Sequence, residues 1–433
     1  MKSLSILVSF FIISLLIISS TVSFSVASSQ FLEHQDSSEN LILGTQNNSK
    51  INSILNNITE DLLKSYLETL VAFSPRYTGT YGCEKSAKFI YQQFNEMGLK
   101  TRYQNWTKFG NQYHARFFTS QNVEATLEGN DDKIIIFNAH YDTVKFTPGA
   151  NDDGSGTAAV LAAAYVLSQC EFNHTLKFVT FSGEEVGLVG SQVYAKEAYD
   201  NGDDIILEIN ADMIGRATTT ETGRRMGISA TTDATWVQEI FESSSEIFDL
   251  NMNINKNTII RDSRGYSDYH SFVEYGYEAV ACWQGEGDPN MHKWGDDLGN
   301  VNFSYLVNTT KMIVSVLAHL ADTNELPPQV RIESPRIGNI YYKDTKICNI
   351  GNLKTIVLNG IWIWADVKYA SSKIAKAEFY YDGKLVHTDT EPAYTWYCNK
   401  ISLRNHCIKV IVYDGQGREC SDWVKLLFLN LKE

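Results

Sequence analysis

Five short segments of this chain place carboxylates and histidines at spacings that suit metal binding and proton transfer. His140-Tyr-Asp142 ends the apolar run that begins at Lys133. Residues two apart on a strand share a side, so Asp142 can accept a hydrogen bond from the His140 ring. A carboxylate behind a metal-bound histidine fixes its tautomer and raises its basicity. Asp152 and Asp153 lie in the glycine-rich stretch from Pro148 to Gly156. Adjacent carboxylates repel each other unless something positive sits between them. Glu184 and Glu185 follow a second apolar run, and such a pair can be aimed at two jobs, one at a metal and one at a proton. Asp212 ends a third run, and His292 lies in a late loop. Singly, each has an ordinary explanation, such as a helix cap or a solvated acidic turn. Those explanations do not account for all five together.

The elements that must position these groups can be read from periodicity. Helical spacing covers Ile51 to Leu70 and Glu84 to Met97. Then strand runs at 133–140, 176–181, 204–210 and 278–283 alternate with helical stretches at 155–168, 188–199, 232–248, 267–275 and 301–320. Alternation of this kind predicts an α/β fold with a mainly parallel sheet and helices on both faces. Four of the five segments fall at or near the carboxyl ends of predicted strands, where ligands bind in open α/β sheets. Thr323 to Pro328 then punctuates the chain. Beyond it, strands are expected at 330–333, 361–367, 377–381, 385–388, 394–397, 408–413 and 424–429, with turns at Asp382-Gly383 and Asp414-Gly415. About seven strands in about 100 residues predict an all-β sandwich.

The motifs HYDT, PGANDDGSG, FSGEEVGLVGS and NADMIG occur in the order and at the spacing of the M28-type co-catalytic zinc aminopeptidases. The chain resembles that family over about residues 55–320, and its 329–433 region resembles an immunoglobulin-like module. The resemblance implies a peptidase domain over 51–323 that uses two zinc ions. Asp152 would bridge them, His140 and Asp212 would complete one site, and Glu185 and His292 the other. Glu184 would be the general base and Asp142 would orient His140. Each zinc would then keep an open position, as catalytic zinc does; manganese or cobalt would suit the same donors. The family often supplies a tyrosine near the reacting carbonyl, and here Tyr266 or Arg264 could provide that donor. Expected substrates are peptides, cleaved from the amino terminus. Alternatives on the same scaffold are a glutaminyl cyclase, a carboxypeptidase or dipeptidase, and a non-catalytic receptor-like protein.

Composition bounds the rest. The 433 residues are 43% hydrophobic and 20% charged, with a formal net charge of −14. That acidity argues against nucleic acid as a partner. Residues 1–27 read as a secretory signal peptide, with a membrane anchor as the alternative if the segment is not cleaved. Residues 28–50 read as a flexible lead-in. Asn-x-Ser/Thr sequons at Asn47, Asn57, Asn105, Asn173, Asn302 and Asn308 agree with a secreted glycoprotein. Cys348, Cys398, Cys407 and Cys420 could form one or two disulfides in an exported domain. The C-terminal domain could contact a surface or another protein.

Overall fold

The computed structural model describes residues 48–259, 266–324, 326–350, 355–369 and 372–430. The expected signal segment and almost all of the expected lead-in lie outside them. Residues 48–50, assigned to that lead-in, instead open the first helix.

Among the described residues three helices come first: α1 (Asn48–Asn56), α2 (Glu60–Ala72) and α3 (Tyr81–Glu96). The single helical stretch expected over 51–70 is thus two helices. Thr59 breaks it by capping α2, its hydroxyl accepting the Leu62 N–H at 3.2 Å. Then follow β1 (Lys100–Phe109), β2 (Phe117–Leu127), β3 (Ile134–His140), α4 (Gly154–Leu167), β4 (Thr175–Phe181), α5 (Val189–Asn201) and β5 (Ile205–Ala211). The domain closes with β6 (Arg225–Thr231), α6 (Thr235–Ile247), β7 (Asn253–Ile259), α7 (Tyr269–Glu274), β8 (Ala279–Gln284) and α8 (Phe303–Asp322).

These strands form one eight-stranded sheet in the order β1-β2-β4-β3-β5-β8-β6-β7. Its centre, β4-β3-β5-β8, is parallel. The β1-β2-β4 side and the β8-β6 junction are antiparallel. Every residue of β3 and β5 is buried, as central parallel strands covered on both faces require. One face carries α1 to α4, α6 and α8, and the other carries α5 and α7. Helix α4 is buried on nearly all sides, which its Ala-rich sequence allows. On the thinner face, Phe181, Tyr194 and Phe272 pack over Ile134 and Ile136.

Strands β1, β2, β6 and β7 were not expected. Most of β7 is exposed and reads NINKNTI, which carries little strand signal. Of the first seven residues of β1, only Gln104 and Trp106 are buried.

After the Pro327-Pro328 break comes an all-β module of two sheets. It comprises β9 (Gln329–Ser334), β10 (Asn339–Tyr342), β11 (Thr345–Asn349), β12 (Thr355–Leu358), β13 (Ile361–Tyr369), β14 (Ile374–Tyr381), β15 (Lys384–Asp389), β16 (Tyr394–Cys398), β17 (Ser402–Asp414) and β18 (Glu419–Asn430). One sheet runs β11-β10-β12-β18-β17-β14-β15 and the other β16-β13-β9. Their shared core includes Ile361, Ile363, Phe379, Val410 and Phe428. Asp382 and Gly383, both at positive φ, make the expected β14–β15 turn. At Asp414 the loop is longer, and the Asp414 carboxylate accepts the N–H groups of Gln416 and Arg418, both at 2.9 Å.

The expected disulfides are absent: all seven cysteines are free. Cys398 faces the module core, Cys348 is exposed on β11, and Cys407 is partly buried on β17. Cys420 lies against Glu278 of the first domain, with Sγ 3.6 Å from its carboxylate. On the paired strands β17 and β18, Cys407 lies opposite Lys425 and Cys420 opposite Val412, not each other.

The module docks at the amino ends of β5 and β8. Gln329 donates to the Ile206 carbonyl at 2.7 Å, and Arg331 to the Tyr275 carbonyl at 2.6 Å. Ser421 donates both its N–H and its hydroxyl to Asp233, at 3.2 and 2.7 Å.

Phe137 lies in the middle of β3 with no exposed surface. Phe137→Ala should cost about 3–5 kcal/mol by cavity formation, read as a lower denaturant midpoint. A midpoint within error of wild type would refute the central role given to β3.

Candidate active site

The carboxyl ends of β3, β4 and β5 deliver one cluster of ligand-type side chains. His140 is the last residue of β3, and Asp212 follows the last residue of β5. Glu184 and Glu185 sit in the loop after β4, and Asp152 in the loop before α4. His292 arrives from the loop between β8 and α8, at positive φ and partly exposed.

Two sets of three donors could hold a metal ion: His140 with Asp152 and Asp212, and Asp152 with Glu185 and His292. Within each set all ligand atoms lie within 4.8 Å of one another. Asp152 is common to both. Its Oδ1 is 3.4 Å from His140 Nε2 and its Oδ2 is 3.2 Å from His292 Nε2. Asp212 Oδ1 is 3.8 Å from His140 Nε2, and Glu185 Oε2 is 3.3 Å from His292 Nε2. Oδ2 of Asp152 is buried yet accepts no hydrogen bond. A buried carboxylate oxygen held that way fits a cation. Imidazole and carboxylate donors with no thiolate fit a zinc pair.

The two acids of the glycine-rich loop have separate roles. They are joined by a cis peptide. Asp153 caps α4 by accepting Gly156 N–H at 2.9 Å and also takes the N–H groups of Met213 and His140, at 3.2 and 3.3 Å. Its carboxylate holds three segments of the site together. A Cβ at Gly156 would collide with the Ala211 carbonyl and the Asp153 carboxylate, so only glycine allows this approach.

Asp142 departs from the strand-geometry expectation. It lies beyond the end of β3, and the nearer acceptor for His140 Nδ1 is the Asp142 backbone carbonyl at 3.1 Å. The carboxylate stands at 3.7 Å. It accepts instead the Thr78 hydroxyl at 2.6 Å and the Glu184 N–H at 3.2 Å. Asp142 thus places Glu184 as well as facing His140. Tyr266 is 78% exposed and makes no described contact with either cluster. Arg264 lies outside the described residues.

Three buried supports escaped the sequence reading. Asp296 accepts the N–H groups of Asn151 and Asp152 at 2.7 and 3.0 Å and so fixes the loop that carries Asp152. Arg76 is fully buried and donates to the carbonyls of Tyr141, Pro148 and Gly149 at 2.7, 2.9 and 2.8 Å. Asp268, at the start of α7, is fully buried. Only their chain neighbours gave a signal: Arg76 in SPRYTG, Asp268 in YSDY and Asp296 just after His292.

Considering protein charges alone, the centre is overloaded with acid. Burial pushes Glu184 and Glu185 well above the usual carboxylate range, and their acidic neighbours push further. Burial raises Asp268 to about 7 and Asp296 to about 6. Asp152 is the exception: against the upward push of burial, His140 and His292 hold it low. Bound cations would reverse the upward shifts.

Arg76→Lys would leave carbonyls without donors and should cost on the order of 3 kcal/mol, read as a fall in denaturant midpoint. A wild-type midpoint would contradict the clasp. Asp268 and Asp296 also predict a pH effect. A carboxylate whose folded pKa lies above its unfolded value of about 3.9 contributes stability at low pH that is lost as pH rises through the folded value. Zinc should therefore raise the melting temperature of chelated protein more at pH 7 than at pH 4.5. An equal rise at both would count against this.

Residues 122–317 match the model of peptidase family M28. The chain is similar to a probable leucine aminopeptidase of Arthroderma otae, 28% identical over 295 residues, covering 63% of this chain and 76% of that one. Its fold resembles BSAP, a zinc aminopeptidase from Bacillus subtilis, with TM-score 0.52 and 17% identity over 62% of this chain and 97% of the other. It also resembles a Fimbriiglobus ruber glutaminyl cyclase, with TM-score 0.53 and 17% identity over 60% and 95%. The matched segment spans the strands and loops that deliver Glu184 and all five donors, so this part of the chain is similar to peptidase family M28.

Proposed function

We propose that this chain is an exported aminopeptidase that uses two zinc ions to remove residues from the amino terminus of peptides. The observation that carries this reading is the pair of three-donor clusters sharing Asp152. His140, Asp152 and Asp212 would hold one ion, and Asp152, Glu185 and His292 the other. When bound, the pair supplies an acidified water and polarises the peptide carbonyl.

The chain's own residues do the remaining work. Glu184, positioned by its N–H on the Asp142 carboxylate, takes a proton from water and returns it to the leaving amine. Asp142 and its carbonyl fix the ring of His140. Asp153 and Asp296 hold the loops so that neither cluster needs to rearrange on binding. The similarity to a probable leucine aminopeptidase supports amino-terminal cleavage. The apolar N-terminal segment and the sequons support export.

A cyclase reading is favoured by one fold neighbour. A full second donor set around Glu185 and His292 argues for hydrolysis.

Glu184→Gln should lower kcat on aminoacyl-p-nitroanilides by about 10²–10⁴-fold with zinc content unchanged. A chelator should abolish wild-type release and zinc should restore it. Release by the variant at the wild-type rate would remove Glu184 as the base. Silence of the zinc-loaded wild type on every free-amine substrate would remove the aminopeptidase reading.

A further inference from the structure

The rim of the site carries two cations from separate segments over one tyrosine. The hairpin β1–β2 closes over residues 109–117, with Gly110 N–H on the Arg116 carbonyl at 2.9 Å. Asn111 N–H donates to the Val186 carbonyl at 2.9 Å. The hairpin tip is therefore pinned to the loop that carries Glu184 and Glu185. From another direction, Val144 N–H donates to Glu185 Oε1 at 3.1 Å, which fixes the backbone just before Lys145. Tyr77 lies between them, buried, next to the Thr78 that binds Asp142. Lys145 Nζ stands 5.0 Å from the Tyr77 ring centroid and Arg116 Cζ 5.7 Å from it. Arg116 Cζ is also 4.4 Å from the Phe118 ring. Both cations are exposed, and among the described residues neither forms an ion pair.

This pairing runs against the surroundings. The chain carries −14 overall, and the centre beside the rim is dense with carboxylates. Over a surface of net negative charge, fixed cations raise the local potential and favour a substrate that bears a free carboxylate. Held against aromatic faces, the two side chains are positioned without losing their outward N–H donors. Arginine then offers a fork that matches a carboxylate.

We infer that Arg116 and Lys145 form a carboxylate anchor beside the metal-binding clusters. It receives either the free C-terminal carboxylate of a short peptide or an acidic side chain just beyond the cleaved bond. This rests on the aminopeptidase reading and adds a preference for acidic leaving groups.

The test uses the zinc-loaded full chain with Leu-Gly as free acid, Leu-Gly amide and Leu-Asp amide. In wild type, KM for a carboxylate-bearing substrate should lie roughly three- to tenfold below that for Leu-Gly amide, as expected of exposed charge pairs. In the Arg116→Gln/Lys145→Gln double variant that ratio should approach one, and Arg116→Lys alone should retain part of it. The ratio is taken within each enzyme, so a general loss of active protein does not mimic the effect. A low KM for Leu-Gly alone identifies the terminal carboxylate as the ligand; a low KM for Leu-Asp amide identifies the side chain. Equal KM for all three in wild type, or an unchanged ratio in the double variant, overturns the anchor alone. No cleavage of any of the three removes the aminopeptidase reading together with the anchor.

Discussion

Everything around the site depends on gathering carboxylates in a buried space that cannot keep them charged unaided. Asp152 stands at the meeting point, between two imidazoles that hold it ionised. Its neighbours Glu184, Glu185, Asp268 and Asp296 are driven toward their neutral forms by the same burial. The surrounding architecture keeps these groups from relaxing apart. Asp153 is committed to three backbone N–H groups, and Arg76 ties the Tyr141 carbonyl to those of Pro148 and Gly149. Such rigidity has a thermodynamic cost for the empty scaffold and a benefit for binding, because little ordering remains to be done when ions arrive.

The parallel centre of the sheet explains why residues separated by up to about 150 positions meet. His140, Glu184 and Asp212 all lie at or just past strands that run in the same direction side by side. Adjacent strands place their carboxyl ends at one rim, with spacings near 5 Å set by the hydrogen-bond ladder. The antiparallel additions β1 and β2 do something different. They carry the chain back over the loop after β4 and bring the hairpin tip to the mouth.

The central elements were legible in the sequence because burial on both faces leaves a continuous apolar signature. The runs ending at His140, Phe181 and Asn210 announced both their strands and the chemistry at their ends. What escaped notice was held by partners distant in sequence. Asp296 matters because its carboxylate reaches two N–H groups about 145 residues earlier. Arg76 matters because carbonyls about 65–73 residues away converge on it. No local pattern encodes either. Likewise β7 is a strand through its pairing with β6, since apart from Ile254 the residues from Asn253 to Thr258 are exposed and polar. The expected carboxylate contact behind His140 assumed that the strand continued to Asp142. The strand ends at His140, and the turn offers the Asp142 carbonyl as the nearer partner.

The all-β module joins the first domain at the amino ends of β5 and β8, through Ile206, Asp233 and the Tyr275 carbonyl. Five residues of β5 lie between Ile206 at that seam and Asp212, roughly 20 Å of strand. The two ends of the sheet are thereby decoupled as evolutionary territory. An appendage at the seam can be lengthened, exchanged or recruited to hold the enzyme at a new address while the opposite rim keeps its substrates.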